Sequence, residues 1–348
     1  MNKQLTNLRL LYNTALEHRI WAYKTYETYI SYQDQQNELP LIKKDFPEFN
    51  ETHSHVLQDS LRRLDKAFQG FFRRVKMGEK PGFPRFKGCN SIASICYAQS
   101  GYKLTGKRIK LSKIGCVKIK QHRPLPNNIA IKTCTISKEG SQWYCCICFE
   151  IAGTVKKKVV KNAVGIDMGL EKFITMSNGL SVPNPRYYQK SVSDLAYFQQ
   201  QFSKNKGVKW RKKINRIHAK ITNQRKDFLH KTSSELVRQY DIIAYEDLSI
   251  KKMTQGRFAK SIHDASWGKF IEMIKYKAES AGIYAIAVNP RNTSKICSGC
   301  GTIVEKKISD RQHDCPVCNL SLHRDLNASI NILRSGVGLL KNNEIAFN

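Results

Sequence analysis

Cys297, Cys300, Cys315 and Cys318 form two CxxC pairs separated by fourteen residues, with Gly299 and Gly301 at the first knuckle. Four thiolates at this spacing predict a tetrahedral structural Zn²⁺. A Cys₄ set leaves no open position for a substrate, so the metal is expected to staple a loop too small to build its own core. His313 and His323 lie close enough in sequence to act as substitute ligands, though the paired knuckles make that unnecessary. Shortly after the last cysteine stands Asp325, at the head of DLNASINIL, a stretch that reads as a helix.

Two more acids share this character. Asp167 ends the apolar run AVGID beside Gly169, and Glu246 ends IIAYE between Tyr245 and Asp247. Taken singly, Asp167 either caps its own turn or presents a carboxylate at a sheet edge. Glu246 and Asp247 are equally polar neighbours, and either is the presented residue. Asp325 either caps the helix amides or joins the other acids. Two strand ends and a helix start can converge at one end of a sheet. Clustered carboxylates repel unless divalent cations sit between them, and two such metals suit phosphodiester hydrolysis. Mg²⁺ matches this hard oxygen cage. Arg324, next to Asp325, either holds a phosphate or braces the acids.

The bulk of the chain supplies the matching grip. Its 348 residues hold 59 Lys plus Arg against 28 Asp plus Glu, a formal charge of +31. Such an excess is costly in self-repulsion unless a polyanion neutralises it, and nucleic acid is the expected partner. A membrane surface is the weaker choice, because no apolar run approaches the roughly 20 residues that span a bilayer. The opening MNKQLTNLRLLYNTALEHR lacks the apolar core of a signal peptide. Eleven cysteines, an odd number with four in CxxC pairs, point to a reducing setting, so a bacterial cytoplasmic location is expected. Cys145, Cys146 and Cys148 in WYCCICFE suit a buried strand.

These groups need elements to hold them. From about Leu5 to Tyr32, residues Leu8, Leu11, Tyr12, Ala15, His18 and Trp21 recur at helical spacing, and polar sequence up to Pro47 breaks the pattern. A second helix is expected from THSHVLQDSL onward, with Thr52 as N-cap. Val56, Leu57, Leu61, Leu64, Phe68, Phe71 and Phe72 form its apolar face. Arg62, Arg63, Lys66, Arg73, Arg74 and Lys76 crowd the remainder, which is either a solvated face or a nucleic-acid contact. GEKPGFPRFKG is turn-rich and basic, and its Lys87 joins the candidate backbone contacts. From there to Glu150 the period is two, so KRIKL, CVKIKQH, NIAIKTCTIS and WYCCICFEI read as strands of a small barrel or curled sheet. After KKKVV comes an α/β region with strands at AVGID, FITM, IIAYE and IYAIAV. The segment SDLAYF to VRQY interrupts it and reads as a helical hairpin.

GIDMGLEKF, IIAYEDLSI and CSGCG…HDCPVCNLSLHRDLNASINIL together resemble the TnpB (OrfB) family, transposon-encoded relatives of the type V CRISPR effectors. RFAKSIHDASWGKF, NPRNTSKICSGCG, GFPRFKG and KIGCVKIKQHRPLP extend the likeness over nearly the whole chain. The resemblance implies an α/β multidomain protein. Its RuvC-like nuclease domain, of the RNase H fold, carries a zinc ribbon insertion. An oligonucleotide-binding-like wedge β-barrel carries a helical recognition insertion. The implied boundaries are 1–80 for recognition helices, 81–158 for the wedge, 159–294 and 321–348 for the nuclease with its helical insert, and 295–320 for the ribbon. The resemblance also implies an RNA-guided DNA endonuclease with guide RNA from a transposon end, double-stranded target DNA and a transposase of the same element as partners. Asp167, Glu246 and Asp325 become the catalytic acids, which selects Glu246 over Asp247, and the four cysteines become the zinc ligands. With all three acids present, nuclease-dead repressor relatives match poorly. Relatives usually open with an extra basic strand ahead of the first helix. This chain starts almost in that helix, so the first wedge strand is expected to be missing. A nucleic-acid-binding regulator and a protein-guided nuclease or transposase of the same fold are the alternative readings.

Overall fold

The computed structural model describes residues 1–89, 91–122, 125, 130–140, 142–150, 155–256, 258–307 and 310–341. The chain divides into two compact units, Met1–Ala152 and Gly153–Asn348. Among the described residues, no helix is long and apolar enough to cross a membrane.

The first unit opens with helices α1 (Asn2–Tyr26), α2 (Tyr32–Asp45) and α3 (Ser54–Lys76). Leu8, Leu11, Tyr12, Ala15 and Leu16 of α1 pack in one core with Val56, Leu57, Leu61, Leu64 and Phe68 of α3. The first helix stops short of the expected Tyr32, because Glu27 turns left-handed (φ 51°) and its amide bonds back to Ala22 and Tyr23. The stretch read as a polar break is α2 instead. Ser31 and Asp34 cap its start reciprocally, in a capping box, and Pro40 is accommodated inside it. Buried Arg19 ties the three helices together: Nε donates to Gln35 (2.9 Å), Nη1 to Asp65 (3.1 Å), and the guanidinium sits over the Phe68 ring. Thr52 does not cap α3. His53 holds the cap position, and the Thr52 hydroxyl accepts from Asn7 at 3.3 Å. Phe72, placed by its spacing on the apolar face, is half exposed (50 %), edge-on to Phe71.

Six strands complete this unit: β1 (Ser94–Tyr97), β2 (Tyr102–Thr105), β3 (Arg108–Leu111), β4 (Gly115–Lys118), β5 (Ile131–Glu139) and β6 (Gln142–Phe149). They form two antiparallel three-stranded sheets, ordered β1-β5-β6 and β2-β3-β4. Ile95, Tyr97, Ile109, Leu111, Cys134 and Ile136 join the helical core. Alternation sorts the cysteines of β6. Cys145 approaches Cys134 at 3.7 Å between sulfurs, whereas Cys146 and Cys148 are exposed, contrary to the buried placement expected for all three.

The second unit is built on β7 (Ala163–Met168), β8 (Lys172–Met176), β9 (Ser181–Pro183), α4 (Val192–Asn205), α5 (Val208–Gln239), β10 (Ile242–Glu246), α6 (Ile250–Met253), α7 (Ala259–Ala265), α8 (Trp267–Ala281), β11 (Tyr284–Val288), β12 (Gln312–Asp314), β13 (Ser321–His323) and α9 (Arg324–Lys341). Its five-stranded sheet runs β11-β10-β7-β8-β9. β10 lies parallel to β7 and β11, while β8 is antiparallel to both β7 and β9. Helices cover both faces, which explains why AVGI and IIAY are apolar without alternation. Val164, Ile166, Ile243 and Tyr245 point into the core with Leu229 and Leu236 of α5 and Phe270 and Ile274 of α8. The alternate residues face α9: Ala244 and Val288 pack with Ile332, and Ile242 with Leu340. α4 and α5 form the expected hairpin.

Two glycines let α9 lie almost on the sheet. A Cβ at Gly165 would sit 2.1 Å from the Ser329 carbonyl oxygen, and one at Gly336 would sit 2.6 Å from the Ala244 Cβ. Any side chain at Gly165 would therefore have to drive backbone away from backbone.

Candidate functional site

That close approach sets the register of the three acids. Asp167 is two residues beyond Gly165 on β7, about 7 Å further along the strand. Asp325 is four residues before Ser329, about 6 Å further toward the helix start. The helix runs antiparallel to β7, so both steps lead to the same end of the sheet. On β10, pairing of Tyr245 with Ile166 puts Glu246 level with Asp167 on the neighbouring strand. Alternation turns Glu246 to the α9 face, and Asp247 lies just past the strand's end. Glu246 is buried, whereas Asp247 is exposed.

Asp167 feels the charges of both other acids. Asp167 keeps part of its surface open to solvent, though protein atoms crowd its carboxyl. Burial pushes that carboxyl well above the usual range, and the charges of Glu246 and Asp325 push it further. The Arg324 guanidinium and the Met168 amide pull the other way. Burial also raises Glu246, against a hydrogen bond from Thr293. Arg324 lies beside the site, with Nε 3.5 Å from Asp325 Oδ1. The Asp325 amide donates to His323 Nδ1 at 3.2 Å.

A raised carboxyl has a thermodynamic signature. Between the unfolded value of about 4 and the raised folded value, the folded state holds a proton that the unfolded state has released, so stability falls as pH rises. Asp167→Asn removes that penalty. In metal-free buffer the variant is expected to melt above the wild type at pH 8, with a smaller gain at pH 5. Equal gains at both pH values, read by circular dichroism, would show that Asp167 does not carry this strain.

The cysteine quartet follows β11. Its four sulfurs lie within 4.8 Å of one another, with Cys297 to Cys318 and Cys300 to Cys315 each at 3.5 Å. Tetrahedral Zn–S bonds of 2.3 Å place sulfurs roughly 3.8 Å apart, so the quartet fits Zn²⁺. Gly299 is tightly enclosed, since a Cβ would stand 3.2 Å from both the Cys318 sulfur and Leu320 Cδ2 and would have to push one of them aside. The Thr302 hydroxyl and amide draw the Cys300 thiol down to about 6, favouring the ligating thiolate. Neither histidine joins the set. His313 is fully buried beside the knuckles, and His323 Nδ1 is occupied by the Asp325 amide.

The ribbon is tied to α9 by two asparagines. Asn327 accepts from the Ser298 amide (2.8 Å) and donates to the Ile296 carbonyl (2.7 Å). Asn331 donates to the carbonyls of Thr293 (2.9 Å) and Ile296 (2.6 Å). The Arg324 amide adds a bond to the Arg311 carbonyl at 2.8 Å. Sequence reasoning passed over both asparagines. The available signal was Asn at i and i+4 on the helix face that also carries the apolar Ala328 and Ile332, where a polar side chain needs a buried partner.

Comparison with known proteins bears on this arrangement. Residues 146–257 match the family described as "Probable transposase", and residues 267–332 match "Cas12f1-like, TNB domain". A TnpB-like protein of Methanocaldococcus jannaschii is 35 % identical over 133 residues, covering 37 % of this chain and 31 % of that one. "Putative RNA-guided DNA endonuclease InsQ" of Escherichia coli K12 is 29 % identical, covering 95 % of this chain and 87 % of its own. A Streptomyces pristinaespiralis protein named "Putative RNA-guided DNA endonuclease" is 33 % identical over 343 residues, covering 95 % and 84 %. The chain belongs to the TnpB family. The chain accordingly has the RuvC-like multidomain fold of TnpB proteins, with a Cys₄ cluster consistent with a zinc-binding insertion.

The basic residues of this TnpB protein divide by their surroundings. Arg62, Lys66, Arg73 and Lys76 are all exposed, and steps of 4, 7 and 3 residues keep them along one stripe of α3. Arg62 also lies over the Tyr32 ring at 5.5 Å. Arg63 is directed inward, bonding Asp59 (2.7 Å) and the Ser94 carbonyl (3.2 Å), so it braces α3 against β1. Arg74 donates to the Gly82 carbonyl at 3.1 Å. Lys87 sits over the Tyr12 ring at 5.1 Å, while its backbone is clamped on both sides by Asn13.

Proposed function

We propose that this protein is an RNA-guided DNA endonuclease in which Asp167, Glu246 and Asp325 are the catalytic carboxylates. The 33 % identity to the Streptomyces protein across nearly the whole chain carries the activity. The convergence of three acids on one end of the sheet supports their roles. Their donor set, three carboxylates, is of the hard oxygen type that suits a divalent cation, and the charges of Glu246 and Asp325 raise the affinity of Asp167 for positive charge. Mg²⁺ bound there would polarise the phosphodiester and lower the pKa of an attacking water. Arg324 is placed to hold a phosphate beside Asp325. The exposed stripe of α3 would track a nucleic-acid backbone, leaving sequence choice to guide pairing.

On this reading residues 1–80 are recognition helices, 81–158 the wedge, 159–294 and 321–348 the nuclease and 295–320 the ribbon. The guide would derive from a transposon end, the target is double-stranded DNA, and a transposase of the same element is a partner in a bacterial cytoplasm. The test is purification from cells carrying the native locus, followed by sequencing of bound RNA. A discrete RNA that directs Mg²⁺-dependent cleavage of a matched plasmid is expected. Absence of RNA, with cleavage of single strands regardless of sequence, would favour a protein-guided nuclease instead.

A further inference from the structure

Glu246 is held by a hydroxyl that belongs to the zinc side of the molecule. Thr293, buried at 7 % exposure, donates from Oγ1 to Glu246 Oε1. The hydroxyl has one proton, and its other acceptor in reach is the Pro290 carbonyl at 3.2 Å. Thr293 begins a six-residue segment that ends at Ser298, just past the first zinc-site cysteine. Asn331 fixes the Thr293 carbonyl, and Asn327 and Asn331 both fix the Ile296 carbonyl. Asn327 follows Asp325 by two residues on the same helix.

One short strut thus touches the supports of two acids. It holds the β10 acid directly, through Thr293, and it grips the helix that bears Asp325 through two buried asparagines. We infer that Thr293 is a positioning residue that occupies one oxygen of Glu246, leaves the other for a cation, and sets the spacing between Glu246 and Asp325. The inference rests on the reading of Glu246 as a metal-binding acid. A carboxylate free to rotate would present both oxygens in many orientations, and a partner that locks it strengthens the ligand it becomes. Removing such partners typically costs about 10- to 100-fold in metal affinity or activity.

The test compares Thr293→Val, which keeps shape without the hydroxyl, with Thr293→Ser, which restores it, and with Glu246→Gln. Each purified protein is titrated with Mn²⁺ by electron paramagnetic resonance, and cleavage is followed against Mg²⁺ concentration in single turnover. For Thr293→Val we expect Mn²⁺ affinity to fall, and the Mg²⁺ requirement to rise, by about 10- to 100-fold. Zinc content and DNA affinity should be unchanged, and Thr293→Ser should recover most of the loss. Should the valine variant lose zinc, Thr293→Ala takes its place. Wild-type Mn²⁺ affinity and Mg²⁺ dependence in Thr293→Val, alongside an inactive Glu246→Gln, would overturn the positioning role while leaving the nuclease reading intact. Wild-type cleavage by Glu246→Gln would overturn the reading of the site itself.

Discussion

Asp167→Ala is expected to abolish cleavage to the limit of detection while leaving nucleic-acid binding largely intact. The two functions separate because they rest on different amounts of charge. Removing one acid moves a formal charge of +31 to +32, a negligible change for backbone attraction. The same change deletes the acid at the centre of the carboxylate cluster, the one whose ionisation both neighbours perturb. Glu246→Gln and Asp325→Asn should behave alike, since a neutral amide keeps the shape but ligates divalent cations poorly. Asp247→Asn is the control. It stands one residue away, just past the end of β10 and exposed, and should retain most activity. The assay is a supercoiled plasmid bearing a guide-matched site, with Mg²⁺ or with chelator. Cleavage that survives chelator, or survives in the Asp167 variant, would place the chemistry elsewhere.

Loss of zinc should have the second largest effect, and it should reach beyond the ribbon. Elemental analysis is expected to give one zinc per chain, and Cys315→Ser to lose it. Without the metal the knuckle has little core, so the backbone that Asn327 and Asn331 hold becomes mobile, and two buried amides on α9 lose their partners. A penalty of about 4 kcal/mol would correspond to a fall in melting temperature of about 10 °C for a unit of this size. Fully active protein that contains no zinc would refute the structural role.

The site was more legible than its supports. A charged residue at the end of an apolar strand is conspicuous against the strand's burial, and CxxC spacing is set by metal geometry. Glu246 and Asp247 could not be separated by residue type alone. The resemblance selected Glu246, and in the assembled sheet Glu246 is the buried one while Asp247 is exposed. Helix α2 was missed because its residues YQDQQNE carry little apolar periodicity. The Ser31–Asp34 capping signal was present and went unused. Arg63 and Arg74 read as surface charge because sequence cannot show that Ser94 and Gly82 come within their reach. Thr293 was invisible for a related reason: a small hydroxyl in a loop has no pattern, and its importance comes wholly from the acid it meets 47 positions away in sequence.

The seating of α9 on Gly165 also dictates an order of events during synthesis. Asp167 and Glu246 leave the ribosome well before Asp325, which follows Glu246 by 79 residues. At about 5–20 residues per second, that interval lasts about 4–16 s. Through it the newborn sheet carries two acids but lacks the third, and the glycine-lined face awaits its helix. A chain interrupted anywhere before Arg324 would be born without the third of the proposed catalytic acids, however well its basic surface grips nucleic acid. On the proposed roles of the acids, translation itself thereby withholds cleavage until the helix that bears Asp325 has been made.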